Sequence, residues 1–158
     1  SALVAEAYDL GSRTKLDPTL ILAIMAVESG FNPFAQSAMG AQGLMQVMTK
    51  IHSDKYMGFG GKLAAFDPVS NLRVGAKVLQ ECVARAGSIE GGLKLYVGAG
   101  NLEDDGGYTA KVLAEHNRLL LVSNGRSVPA TVQPQVIPVK LPVTPTEAPE
   151  VVASYFSS

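Results

Sequence analysis

Glu28 stands in a chemically odd setting. Ile21, Ile24, Met25 and Glu28 are spaced so that they share one face of a helix. Three of the four are large and apolar, so the face belongs in a core, and Glu28 continues it at the helix C-terminal end. Burial strips water from a carboxylate, and the negative end of the helix dipole repels it; both favour keeping the proton. A carboxyl that stays protonated near neutral pH can donate to a leaving oxygen, as glycoside cleavage requires. A glutamate in a last helical turn can equally swing out to water or pair with a lysine. Position alone leaves both open.

Downstream, Ser37-Ala38-Met39-Gly40-Ala41-Gln42-Gly43-Leu44-Met45-Gln46 mixes small residues with polar ones. Its glycines let the backbone turn sharply or approach a ligand. Gln46 carries both donors and an acceptor, and Ser37 a hydroxyl, which suits the two-way hydrogen bonding of sugars. Met45 offers an apolar surface for a sugar face. An ordinary loop leading into a helix accounts for the same composition.

Other chemistries are poorly served. His52 and His116 are the only histidines, and no zinc-ligand spacing surrounds either, so no metal and no cofactor is expected. His116 reads as surface decoration on a last helix. No Ser-His-Asp order or nucleophile elbow is present. Gly58-Phe59-Gly60-Gly61 lacks the lysine-serine end of a phosphate loop and reads as a flexible loop. Cys82 falls beside an apolar stripe, as a packed thiol would. Glu103-Asp104-Asp105 fits a helix cap or a solvated run.

The elements that must carry Glu28 are legible from their starts and periods. Leu3, Ala7, Leu10 and Thr14 mark a first helix. Asp17-Pro18 and Asp67-Pro68 each pair a capping residue with proline at the first helical position. The helix after Asp17 stops at Ser29-Gly30, before Asn32-Pro33. A short helix is expected from Gly43 to about Ile51. Leu72, Ala76, Leu79 and Val83 form one stripe. Gly91 to Val97 reads as a buried segment. Tyr108, Val112, Glu115, Leu119 and Val122 trace a final helix, opened by Gly106-Gly107. No stretch before the tail alternates with period two, so an all-α core is expected.

Composition shifts near Asn124-Gly125. Beyond it Pro129, Pro134, Pro138, Pro142, Pro145 and Pro149 recur through a Val-rich stretch, which forbids helix and central strand alike. Residues 1–125 are thus expected to form the folded domain, and residues 126–158 an extended Pro-rich arm with enough apolar content to pack on the domain or dock a protein partner.

The 158 residues suffice for one domain plus an appendage, and 47% apolar with 17% charged residues excludes a disordered chain. Net charge is −1 without a basic stripe, against nucleic-acid binding. No apolar run is long enough to span a bilayer. One cysteine rules out an intrachain disulfide. No signal-peptide pattern is visible, which leaves a cytosolic protein and a trimmed mature one both open.

Taken together, these residues resemble the family 1 lytic transglycosylases, relatives in fold of goose-type lysozyme. Glu28-Ser29-Gly30-Phe31-Asn32-Pro33 is similar to the family's ES motif. Ser37, Gly40-Ala41 and Gly43-Leu44-Met45-Gln46 are similar to its GLMQ segment. Phe66-Asp67-Pro68, Asn71 and Gly75 follow the pattern. Tyr96 stands where the family has the tyrosine of AYNAG, and Tyr108 where a tyrosine opens the final helix. The resemblance covers roughly residues 1–122. Val97 replaces the asparagine after the first tyrosine, and Thr49-Lys50 stands where proline often follows GLMQ.

The resemblance implies a lysozyme-like helical domain acting on peptidoglycan between N-acetylmuramic acid and N-acetylglucosamine, in the periplasm or otherwise outside the cytoplasm. Glu28 would act as acid and then base, giving 1,6-anhydro ends. Ser37, Met45, Gln46, Tyr96 and Tyr108 would contact substrate, with Tyr96 or Tyr108 hydrogen-bonding Glu28. A conventional glycosidase needs a second carboxylate. Asp54, in the polar patch His52-Ser53-Asp54-Lys55, reads as a solvated loop residue, and Asp67 as a cap. Attack by the sugar's own hydroxyl needs no such partner. Hydrolysis on the same fold and a glycan-binding or assembly module acting through the arm are the competing expectations.

Overall fold

The computed structural model describes residues 2–98, 100 and 103–125. The expected arm, residues 126–158, lies outside them. Helix α1 spans Ala2–Thr14, α2 Pro18–Ser29, α3 Ser53–Met57, α4 Pro68–Ala86, α5 Ile89–Tyr96 and α6 Tyr108–Ser123. Between α2 and α3 two short antiparallel strands, β1 (Ala41–Gln42) and β2 (Val47–Met48), pair Ala41 with Met48 and Gln42 with Val47. A 3₁₀ turn over Lys62–Phe66 leads into α4. The fold is lysozyme-like and helical, as expected, with this ribbon and an isolated bridge from Gln36 to Gln42 as the β structure among the described residues.

Helix α2 is the central element. Leu20, Ile21, Ala23, Ile24 and Met25 are all buried, and Leu22 and Val27 pack partly against the same core. A helix apolar on nearly every side must be surrounded, and α1 and α6 both pack on α2. Its start follows the expectation from Asp17-Pro18: the Asp17 carboxylate accepts from Thr19 N–H at 2.9 Å, and Pro18 opens the helix. Its end follows the expectation from Gly30, which sits in the left-handed region at φ 58° and donates its N–H to Ala26 O. α4 packs on α1 and α5 and starts as predicted, with Asp67 Oδ2 accepting from Ser70 N–H and Oγ–H at 2.9 and 2.6 Å.

The helix expected from Gly43 to Ile51 is instead a tight turn with β1 and β2 flanking it. The backbone cannot stay helical there, because Gly43 lies at φ 79° and Gln46 at φ 50°. Glycine is obligatory at 43: an added Cβ would collide with both Ala65 O and Asn71 Nδ2. The Gln42 carbonyl and Met45 N–H, which a helix would pair internally, are taken by the Asn71 side chain at 2.8 Å each. His52-Ser53-Asp54-Lys55 is likewise not a loop. It enters α3, where Asp54 remains exposed and Tyr56 is buried.

His116 also departs from the expectation of surface decoration. Its Nδ1 lies 2.9 Å from the Thr19 hydroxyl and its Nε2 3.8 Å from Asp17 Oδ2, so it fastens α6 to the start of α2. Cys82 is a packed thiol, and burial pushes its pKa up to about 12. No described helix is long and apolar enough to cross a membrane.

Candidate active site

The α2 stripe ends as its spacing predicts. Ile21, Ile24 and Met25 are fully buried, and Glu28 behind them is 4% exposed. Neither carboxyl oxygen has a hydrogen-bond partner among the described residues. Burial therefore dominates and pushes the Glu28 pKa up to about 8, opposed by the nearby Tyr108 hydroxyl. The Tyr108 hydroxyl itself is buried without a partner of good geometry among the described residues. The two groups thus face each other as neighbours and do not form a well-aligned hydrogen bond. A pKa so raised favours the protonated form at neutral pH.

Tyr96 is fully buried and directed elsewhere. Its hydroxyl donates to the Met45 carbonyl at 2.7 Å. Burial raises its pKa well above the ordinary tyrosine value, with the Glu28 charge adding to the rise, so it stays neutral beside the acid. Between the two tyrosines, Tyr108 is the one whose hydroxyl bears on the Glu28 carboxyl.

The turn after β1 is built to hold this arrangement. Met45 is fully buried, with its side chain against α4 at Gly75, where an added Cβ would meet Met45 Sδ at 2.5 Å. Met45 N–H donates to Asn71 Oδ1 at 2.8 Å. Gln46 is 2% exposed and closes the turn, its amide donating to Ala35 O at 3.0 Å and Gly43 O at 2.9 Å. Both its amide protons are used within the protein, which offsets a left-handed backbone costing on the order of 1 kcal/mol. The Ser37 hydroxyl accepts from Ala41 N–H at 3.0 Å and ties the approach to β1. The turn thus gathers Met45, Gln46 and Ser37 through backbone contacts, and Tyr96 joins them through Met45 O.

Three residues do more than their sequence setting disclosed. The Ser29 hydroxyl lies 2.8 Å from Leu44 O and 3.0 Å from Met25 O, which links the end of α2 directly to the turn. Its place beside Glu28 was the available signal. Asn71, fully buried, donates from Nδ2 to Gln42 O, Ala65 O and Tyr56 Oη at 2.8, 2.9 and 3.2 Å while its Oδ1 holds Met45 N–H. Its match to the family pattern marked it, but only the fold shows its partners. Thr49, in place of the proline, is a third such case: its hydroxyl donates to Gln42 Oε1 at 2.8 Å across the ribbon.

Neither candidate second carboxylate joins Glu28. Asp67 is occupied as a cap, which holds its pKa below the ordinary value, and Asp54 is exposed on α3. Among the described residues no other carboxylate perturbs Glu28. No group of three metal-binding side chains occurs among them either. Val97 is fully buried at the end of α5, where an asparagine side chain would have to find partners inside the core.

The fold is that of a lysozyme-like helical domain, with a buried carboxyl at the end of its central helix. Residues 7–116 match the profile of the transglycosylase SLT domain, and the chain belongs to that family. It is similar to a transglycosylase of Enterobacteria phage PRD1, 34% identical over 108 aligned residues, the match covering 66% of this chain and 39% of the phage protein. Its fold is similar to that of an inactive mutant of the lytic transglycosylase Slt from Pseudomonas aeruginosa, with a TM-score of 0.67 and 19% identity over 78% of this chain and 24% of that one. The chain thus spans well under half the length of either relative.

Proposed function

We propose that the domain is a peptidoglycan lytic transglycosylase with Glu28 as its acid and base. The observation that carries this reading is the Glu28 carboxyl, buried and without a hydrogen-bond partner among the described residues on an SLT fold, where burial pushes its pKa up to about 8. In the forward step Glu28 gives its proton to the oxygen between N-acetylmuramic acid and N-acetylglucosamine as the C1–O bond breaks. The muramic acid C6 oxygen then bonds to C1, and its proton passes to the Glu28 carboxylate. The product is a 1,6-anhydro end, and the enzyme recovers its starting protonation. No second carboxylate is needed, because the nucleophile is tethered to the reacting centre.

Tyr108 is assigned to stabilise the ionised form of Glu28 between the two proton transfers. Tyr96 and Met45 shape the wall behind the acid, being fully buried themselves. Ser37 and Gln46 are assigned to substrate through the Ser37 hydroxyl proton and the Gln46 side-chain oxygen. A peptidoglycan substrate puts the site of action in the periplasm or outside the cell. Residues 1–125 would make up the catalytic domain. A partner for residues 126–158 is part of the proposal but lies outside the described residues.

Mass spectrometry of sacculi digested with wild type and Glu28→Gln tests the assignment. Anhydro-muramic ends are expected from wild type, and roughly a hundredfold loss or more from the variant, the usual contribution of a general acid. Reducing muramic ends in excess would make the domain a hydrolase. Undiminished cleavage by Glu28→Gln would remove Glu28 from the chemistry.

A further inference from the structure

The route into α6 is unusual. Gly106 and Gly107 lie at φ 68° and 82°, and the helix begins at the next residue, Tyr108. Two successive glycines give the chain great freedom just before the side chain that faces Glu28. Something must fix that entry if Tyr108 is to be held to within a fraction of an ångström. The Asp105 carboxylate does so from both sides: Oδ1 accepts from Gly107 N–H and Oδ2 from Thr109 N–H, at 3.0 Å each. The clamp straddles Tyr108 and is itself only 7% exposed. Asp104 Oδ1 adds a bond from Gly106 N–H at 2.9 Å. Burial alone would raise the Asp105 pKa, but its bonds to Thr109 and Gly107 outweigh that and hold it below the ordinary range, so it is ionised whenever the enzyme works.

We infer that Asp105 is a positioning residue for the acid: by clamping the first turn of α6 it holds Tyr108 over Glu28 and keeps water from the carboxyl. The inference rests on the assignment of Glu28 as the acid. Its ordinary competitor is a helix cap that supports α6 and nothing more. The two differ in what they do to Glu28. Among the described residues the titratable groups that bear on Glu28 are Tyr108 from α6 and Tyr96 from α5, with Asp105 acting on the first and Tyr56 and Cys82 on the second. Loosening Tyr108 has two opposed effects. It removes a neighbour that favours the carboxylate, and it admits water. Burial is the larger influence on Glu28, so the second effect prevails and the acid loses its proton at lower pH.

The test is the pH dependence of turnover on purified sacculi by the full chain, comparing wild type with Asp105→Ala, Asp105→Asn and Ser88→Ala. Ser88 caps α5 by accepting from Gly91 N–H at 3.0 Å and serves as the cap-only comparison. Asp105→Ala should lower kcat roughly tenfold, with KM little changed, as mispositioning at a reacting centre does. Its alkaline limb should move down by at least about half a pH unit, within the range of shifts a changed environment produces. Asp105→Asn keeps one accepting oxygen and should fall between; it also carries the test if the alanine variant does not fold. Ser88→Ala should lower Tm without moving the limb. Asp105 variants that lose activity equally at every pH, or keep it, would overturn the inference. Failure of the underlying assignment shows separately, as turnover retained by Glu28→Gln.

Discussion

The Tyr96 hydroxyl donates to Met45 O at 2.7 Å, while the Tyr108 hydroxyl, equally deep, has no partner of good geometry among the described residues. Both rings approach Glu28, yet one hydroxyl is part of the architecture and the other faces the carboxyl. Removing each oxygen should therefore have opposite signatures. Tyr96→Phe leaves a buried carbonyl unpaired and should cost ~1–3 kcal/mol in denaturant unfolding. Tyr108→Phe should be neutral or stabilising by up to ~1 kcal/mol, because it removes a buried hydroxyl that lacks a bond. It should also move the alkaline limb of activity upward, since Tyr108 lowers the Glu28 pKa and the ring still excludes water.

Glu28 should weaken the fold that holds it. Its pKa is about 8 in the folded chain, against an ordinary glutamate value of 4.5. A raised pKa means that the folded chain binds the proton more tightly than the unfolded one. The associated stability is complete below pH 4.5 and is lost as pH rises toward 8. The loss at pH 7 is on the order of 3 kcal/mol, at 1.36 kcal/mol per unit. Glu28→Gln should match wild type near pH 4 and exceed it in Tm at pH 7 to 8, by about 5 °C or more. Thermal melts across pH check this, and parallel curves for the two proteins would contradict it.

Asn71 should be the costliest polar residue to truncate. Asn71→Ala strands Met45 N–H, Gln42 O and Ala65 O in the core at once. Each unpaired group costs ~1–3 kcal/mol, so the variant should lose ~3–5 kcal/mol even after partial relaxation. Urea unfolding measures it, and a loss below ~1 kcal/mol would show that the turn is held by other means.

Much of the fold and of the acid's setting is legible in the chain alone. The α2 stripe locates Glu28 because helical spacing decides which residues share a face, and Asp17-Pro18 and Asp67-Pro68 announce their helices through local capping. The Gly43–Ile51 segment is not legible, because its conformation depends on Asn71 and Ala65, far along the chain. His116 escapes for the same reason: its partners Thr19 and Asp17 lie on another helix. Met45 reads as a surface for a sugar face but packs against Gly75, a contact that no local pattern encodes. Ser37 and Gln46 are recognisable as polar residues of a turn, while the backbone groups they bind are not.

Glycines that share a left-handed backbone should differ sharply in tolerance. Gly30, at φ 58° with nothing among the described residues crowding the place of a Cβ, should accept alanine for ~1 kcal/mol. Gly43 should not: its Cβ would collide with Ala65 O, so alanine should cost about 3 kcal/mol or more and disrupt the turn. Unfolding free energies of the two variants decide, and similar losses would contradict the geometry.

The buried acid also changes how the molecule counts as an ion. The formal charge of −1 takes every carboxyl as ionised. With the Glu28 proton retained, the native chain is close to electroneutral at pH 7, and its isoelectric point lies above the 6.1 read from composition. A native focusing gel would scarcely separate wild type from Glu28→Gln, whereas the same pair in urea would run apart by one full charge. Electrophoretic mobility thus records, without substrate, whether the domain is keeping its proton.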